Sequence, residues 1–171
     1  MLFAEVERNR KRGRKLLLDR DSPCILPLAE ELEQAPRRAL TLWALEGAER
    51  IARAEGDGRL FSCVAAARAW AEGAILMPAA RRAILAVHAA AREEDARREA
   101  LFHAVGQACS TVHTPRHALG LPLYELTALA RRGGAYECAL RDRISEYRGR
   151  LADWKSADLS AFSWAAFLKD D

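Results

Sequence analysis

Every histidine of this 171-residue chain, His88, His103, His113 and His117, falls between Ala79 and Tyr124. Histidine titrates near neutrality and is a common metal ligand, so four in one stretch must be explained as site or as core. His113 and His117 are four apart, the spacing that can set two imidazoles on one helical face. A catalytic zinc helix also carries a Glu beside its first His, and here Thr114, Pro115 and Arg116 lie between the two. A helix that begins at Pro115 separates them, so hydrogen bonds across a helix junction are their expected use. His88 falls in a stripe with Ile84, Leu85 and Ala91. That placement suits an internal histidine bonded to a neighbouring helix, because buried polar groups are nearly always partnered. A ligand-lining role in a cleft, shared with His113 and His117, is the competing reading. His103 lies opposite the stripe of Leu101, Phe102 and Val105. It is expected in water, paired at most with Glu99, and without a role. Arg92, four residues after His88, can serve as an anion clamp or as a surface ion pair.

Other chemistries find little footing. The chain has no glycine-rich phosphate loop, no GxSxG, no HExxH and no pair of acids set in an apolar stripe. Cys109 belongs to a buried stripe, whereas a nucleophile needs access and a base. Cys24, Cys63, Cys109 and Cys138 lie far apart without a CxxC pair, as expected of reduced, buried thiols in the cytoplasm. No catalytic residue, cofactor or metal is therefore expected. The net charge is +3, and six of the eight residues from Arg8 to Lys15 are basic. No aromatic is interleaved with them to stack bases. The run is expected as a solvated or disordered arm, and a nucleic-acid partner is not expected. Acidic residues stand where a leader peptide would need an apolar run, and no stretch reaches the ~18 apolar residues of a membrane span. A cytoplasmic protein is expected.

The elements that must position these residues are helices. β-branched residues are few, alternation is absent, and Ala, Leu, Arg and Glu dominate. Residues 1–35 are a basic arm with a short helix, part of the domain or appended to it. Residues 36–152 form the core domain. Its helices are expected at 36–54, 59–72, 78–92, 96–112, about 114–132 and 135–151. Leu40, Trp43, Ala44, Gly47, Ala48 and Ile51 share the inner face of the first, and Trp70 lies inward on the second. Glu93, Glu94 and Asp95 suit a turn and a helix N-terminus. Pro122 is expected to kink or split its helix, because proline lacks an N–H and clashes one turn back. The tail, 153–171, carries Trp154, Phe162, Trp164 and Phe167 back onto the core, with a short seventh helix capped by Asp158. The expected fold is a compact all-α bundle of six to seven helices, built as hairpins with a kink near Pro122.

Four strings occur in order: LWALEGAER (42–50), ARAWAEG (67–73), AVHAAAR (86–92) and GQACSTVHTPRHALGLPLYE (106–125). Together they resemble the immunity-five-like family of small bacterial immunity proteins associated with polymorphic toxin systems. The resemblance covers about residues 36–131. It implies an all-helical, non-enzymatic cytoplasmic protein that binds and neutralises a cognate toxin. The family-like positions here are His88, Arg92, His113 and His117. Tyr124, at the end of the last string, joins them as a partner-binding candidate. Nuclease inhibitors commonly present acidic surfaces, and this chain is slightly basic, so wholesale mimicry of nucleic acid is not expected. A local acidic patch at Glu93–Asp95 stays open.

Overall fold

The computed structural model describes residues 3–170, and the described chain is helical without strands. Its α-helices are α1 (Ala4–Lys11), α2 (Leu26–Glu33), α3 (Arg37–Glu55), α4 (Gly58–Ala71), α5 (Met77–Ala90), α6 (Ala96–Ser110), α7 (Gly120–Ala130) and α8 (Glu137–Ser156). Short 3-10 turns follow α5 at Ala91–Glu93 and precede α7 at Pro115–His117. Eight α-helices thus replace the expected six to seven. Both N-terminal segments are helical, while the tail stays irregular. Asp158 binds only the Ser160 amide and opens no helix.

Local chemistry sets the boundaries. Gly56 ends α3 with φ +63°, and Asp57 then caps α4 by accepting from the Arg59 amide. Those two residues close a tight hairpin. Asp95 accepts from the amides of Arg97 and Arg98 at the start of α6, so the acidic run does make a turn and a cap. Pro122 does not kink a continuous helix. The chain breaks completely at the Pro115–His117 turn, and α7 begins at Gly120. Pro122 then occupies the third helical position, where its missing N–H has no intrahelical acceptor to lose.

Helices α3 and α6 form the middle of the bundle: α3 packs on α4, α6, α7 and α8, and α6 on α3, α4, α5 and α7. Fully buried alanines, among them Ala44, Ala48, Ala67, Ala104 and Ala108, let these rods approach closely. Trp43 and Trp70 are buried as expected. Leu85 is not: it is 54 % exposed on the outer side of α5. Cys63 and Cys109 are buried, but Cys138 is exposed, against the expectation of four buried thiols.

The basic run is folded onto the domain rather than a disordered arm: Arg8–Lys11 close α1, and Arg12–Lys15 lie in the irregular stretch that follows. α1 turns Val6 and Asn9 inward while its arginines face out. Phe3, Val6, Leu17, Leu18 and Ile25 form an apolar cluster with Leu123, Leu126 and Leu140 of α7 and α8. Arg10 donates to the Ala130 carbonyl, and the Leu17 amide donates to Thr127 Oγ1. At the other end the tail folds back. The Ala165 amide donates to the Ala71 carbonyl, Leu168 is fully buried, and Phe167 packs on Trp70. Phe162 remains 42 % exposed. No helix among the described residues is long and apolar enough to cross a membrane.

One ion pair joins α3, α7 and α8 inside the bundle. Arg50 donates both terminal nitrogens to the buried Glu125 carboxylate, at 2.9 Å for Nη2 to Oε2. The buried Tyr147 hydroxyl donates to the same carboxylate, and Trp43 Nε1 donates to the Tyr147 carbonyl at 2.9 Å. Burial and the adjacent carboxylate push the Tyr147 phenol well above its ordinary range. Glu125→Ala would leave a half-buried guanidinium and a buried hydroxyl without their acceptor. The expected cost is about 3 kcal/mol, or a melting midpoint roughly 6–12 °C lower. Thermal unfolding followed by circular dichroism checks this, and a midpoint within a degree of wild type would refute it.

Candidate functional site

One polar stripe runs down α6. His103, Gly106, Gln107 and Ser110 recur at helical spacing and face α5, α7 and the turn before α7. Two of them reach the sequence-predicted histidines. His103 Nδ1 lies 2.7 Å from His88 Nδ1 of α5, with ring centroids 5.0 Å apart. Gln107 Oε1 lies 2.8 Å from His117 Nδ1. The Tyr124 ring of α7 sits 5.3 Å from that of His103. His88, His103 and Tyr124 therefore bridge α5, α6 and α7 in one row, and His117 ties the turn to α6 beside it.

His103 departs most from expectation. It is buried at 8 % exposure instead of facing water, and it pairs with His88. Its Nε2 is buried without a close partner, 3.7 Å from Glu99 Oε1, and Lys15 Nζ reaches the same oxygen at 3.4 Å. Only one proton fits between the two Nδ1 atoms. Glu99 favours a proton on His103 Nε2, so we assign His88 as the Nδ1 donor and His103 Nδ1 as the acceptor.

Glycine at two positions makes the row possible. A Cβ at Gly106 would lie 2.4 Å from His88 Nε2, and one at Gly120 would lie 2.5 Å from Gln107 Oε1. Glycine inside a helix costs about 1 kcal/mol relative to alanine. Here the close approach of polar side chains requires it.

The other candidates lie elsewhere. His113 does not join the row. Exposed, it stacks on Trp70 at 5.7 Å and 10°, and its carbonyl accepts from Arg37 Nη2 at 2.9 Å. It therefore helps to hold the tail. Arg92 is exposed and makes no ion pair among the described residues. The three histidines of the competing ligand reading thus have three different partners. Among the described residues, no group of three or more His, Cys, Asp or Glu side chains is placed to hold a metal ion. The acidic patch at Glu93–Asp95 is neutralised from within. Glu94 pairs with Arg59 and Arg98, whose guanidinium groups hold its carboxyl below the usual range, and Asp95 is spent on its cap.

Burial is the main cause of low basicity in the row. It pushes His88 down to about 4, with the charges of His103, Lys15 and His117 adding to it. His103 is lowered by burial and by Lys15, and His117 by burial, Arg20 and Arg116. All three are therefore neutral at pH 7. Outside the row the surface is basic: Tyr124 borders an open hollow of about 750 Å³ that is also lined by Arg8, Arg12, Arg14, Lys15 and Arg20. Neutral imidazoles thus lie inside, beside a surface lined by cations. No strong nucleophile stands beside a free base within the row.

His103 was missed from the sequence, where only a faint signal marks it. His103, Gly106 and Gln107 at i, i+3 and i+4 form a polar face with a glycine in it. Glu125 gave a weaker signal, a lone acid among leucines in LPLYELTALA.

Residues 30–151 match the family model described as "Imm-5 like putative immunity protein", a span that contains the whole row, His113 and Arg92. No curated protein and no solved structure matches the chain.

Two outcomes test the row. Gly106→Ala is expected to drive a methyl group into the His88 ring and destabilise the protein by about 1–3 kcal/mol. In a His88→Ala background the same change should cost little, and equal costs in both backgrounds would refute the contact. The second is acid sensitivity. His88 protonates near pH 4 when folded but near pH ~6.5 when unfolded. The unfolded chain therefore binds the proton first, and the stability held by neutral His88, complete above pH ~6.5, is lost as pH falls toward ~4. Thermal midpoints should fall across that window, and His88→Gln should flatten the fall.

Proposed function

The chain belongs to the Imm-5-like immunity family, and from that premise we propose that it is a non-enzymatic module that binds a cognate bacterial toxin in the cytoplasm and neutralises it. The observation that carries this reading is the family match across residues 30–151, which takes in the central α3–α7 helices and the histidine row. The row supports it physically. His88, His103 and His117 spend their Nδ1 atoms on one another or on Gln107, which stiffens the α5–α7 junction beneath a charged surface. A pre-formed surface loses little entropy on binding, which favours a tight complex.

Within this reading the sequence-predicted residues divide by what their side chains already contact. Tyr124 and Arg92 offer a phenol edge and a free guanidinium to a partner. His88 and His117 hold the helices beneath them, and His113 holds the tail. Tyrosine and arginine are the residue types that most often dominate protein interfaces.

Co-expression with the product of the adjacent gene tests the proposal. Protected growth and a complex that co-elutes in size-exclusion chromatography are the expected outcomes. Tyr124→Ala is expected to weaken that complex about tenfold, the cost of losing one well-packed aromatic contact. Unrelieved toxicity together with no complex would remove the reading.

A further inference from the structure

A second cavity adjoins the basic hollow. It is a groove of about 660 Å³ between α2, the start of α3, the Pro115–His117 turn and the tail. Its floor is apolar, with Leu32, Leu40, Ala118 and Leu119, and its rim is cationic, with Arg20, Arg37, Arg116 and Lys169 against one carboxylate, Glu33. Arg37 is committed to the carbonyls of Phe167 and His113. Among the described residues, Arg20, Arg116 and Lys169 form neither an ion pair nor a side-chain hydrogen bond.

Arg20 also lines the hollow beside Tyr124, so the two depressions form one continuous face. Together they hold eight cations and three carboxylates, and Asp19 is already taken by Arg8 and Arg14. This face alone exceeds the chain's net charge of +3, so the rest of the chain carries a slight excess of carboxylates. The acids elsewhere are largely matched, as at Glu55, Asp57 and Glu94 against Arg59, Arg97 and Arg98. Within the groove, Arg20, Arg116 and Lys169 are thus left without a carboxylate partner among the described residues.

Unpaired cations around an apolar floor select an occupant that brings carboxylates and an apolar side chain together. We infer that the toxin docks an acidic segment with an apolar tip in the Arg20–Arg116–Lys169 groove, an inference that rests on the immunity reading above. Nucleic acid suits the face less well. A phosphate backbone offers nothing to bury on Leu32 and Leu40, and the two depressions present one aromatic ring, Tyr124, for stacking. The partner's contact surface is then acidic, the reverse of an inhibitor that imitates nucleic acid. Fixed complementary charge acts mainly on the rate of encounter.

The test uses the full chain immobilised, with two analytes: the product of the adjacent gene, as the candidate toxin domain, and a short DNA duplex. Arg20→Glu/Arg116→Glu/Lys169→Glu is expected to slow association of the toxin domain about tenfold or more at low salt, with the difference shrinking as salt rises. Arg20→Gln/Arg116→Gln should fall between that variant and wild type. Arg81→Glu/Arg82→Glu on α5, outside the groove, should behave as wild type. Thermal melts confirm that each variant is folded. Wild-type kinetics in the triple variant would overturn the groove while leaving the immunity reading intact. DNA bound more tightly than the toxin domain, and lost in the triple variant, would assign the face to nucleic acid and overturn the proposal. A wild-type chain that binds no toxin domain removes the immunity reading, and this proposal with it.

Discussion

The constraint on which the structure depends is the polar stripe of α6. A helix packed on four neighbours leaves few side-chain donors and acceptors to water, and each buried polar group without a partner costs about 1–3 kcal/mol. His103 and Gln107 must therefore be met from outside the helix. His88 of α5 meets one and His117 of the turn meets the other. Gly106 and Gly120 remove the methyl groups that would block these contacts. The break before α7 serves the same contact: the 3-10 turn at Pro115–His117 places His117 Nδ1 at Gln107 Oε1.

Beyond α6 the bundle is held by a second internal polar contact and by two folded-back ends. The Arg50–Glu125–Tyr147 group ties α3 to α7 and α8. Paired buried charges add more to geometry than to net stability, since desolvation offsets most of their attraction. The N-terminal segment covers the outer side of α7 and α8 with Phe3, Val6, Leu17, Leu18 and Ile25. The tail covers α4 through Phe167 and Leu168, and its Asp170 accepts from the Arg38 amide at the start of α3. Both ends carry basic residues to the same region, Arg20 from one and Lys169 from the other. The cationic groove is thus a product of chain closure.

The core helices were legible because their signals are local. Apolar residues recur at 3.6-residue spacing, Gly56 and Asp57 punctuate one hairpin, and Asp95 caps α6. The starts and ends of α3 to α6 can be read from those residues to within a turn, and the inward placement of Trp43 and Trp70 follows from the same stripes. His103 was misread for a physical reason. Its helix has neighbours on more than one side, so the face opposite the main stripe is not solvent but a second interface. Leu85 shows the converse, an apolar residue left outside because α5 lies at the edge of the bundle.

By itself the amino-acid sequence determined that this chain is a helical bundle, where most of its helices run, and the family to which its strings belong. Periodicity, capping and motif order are properties of neighbours along the chain. Tertiary structure alone decided which polar groups meet, that Glu125 is the buried acceptor for Arg50 and Tyr147, and that charges from positions 20, 37, 116 and 169 gather around one groove. Those are contacts between residues distant in sequence, set by how helices pack against one another, and no local pattern encodes them.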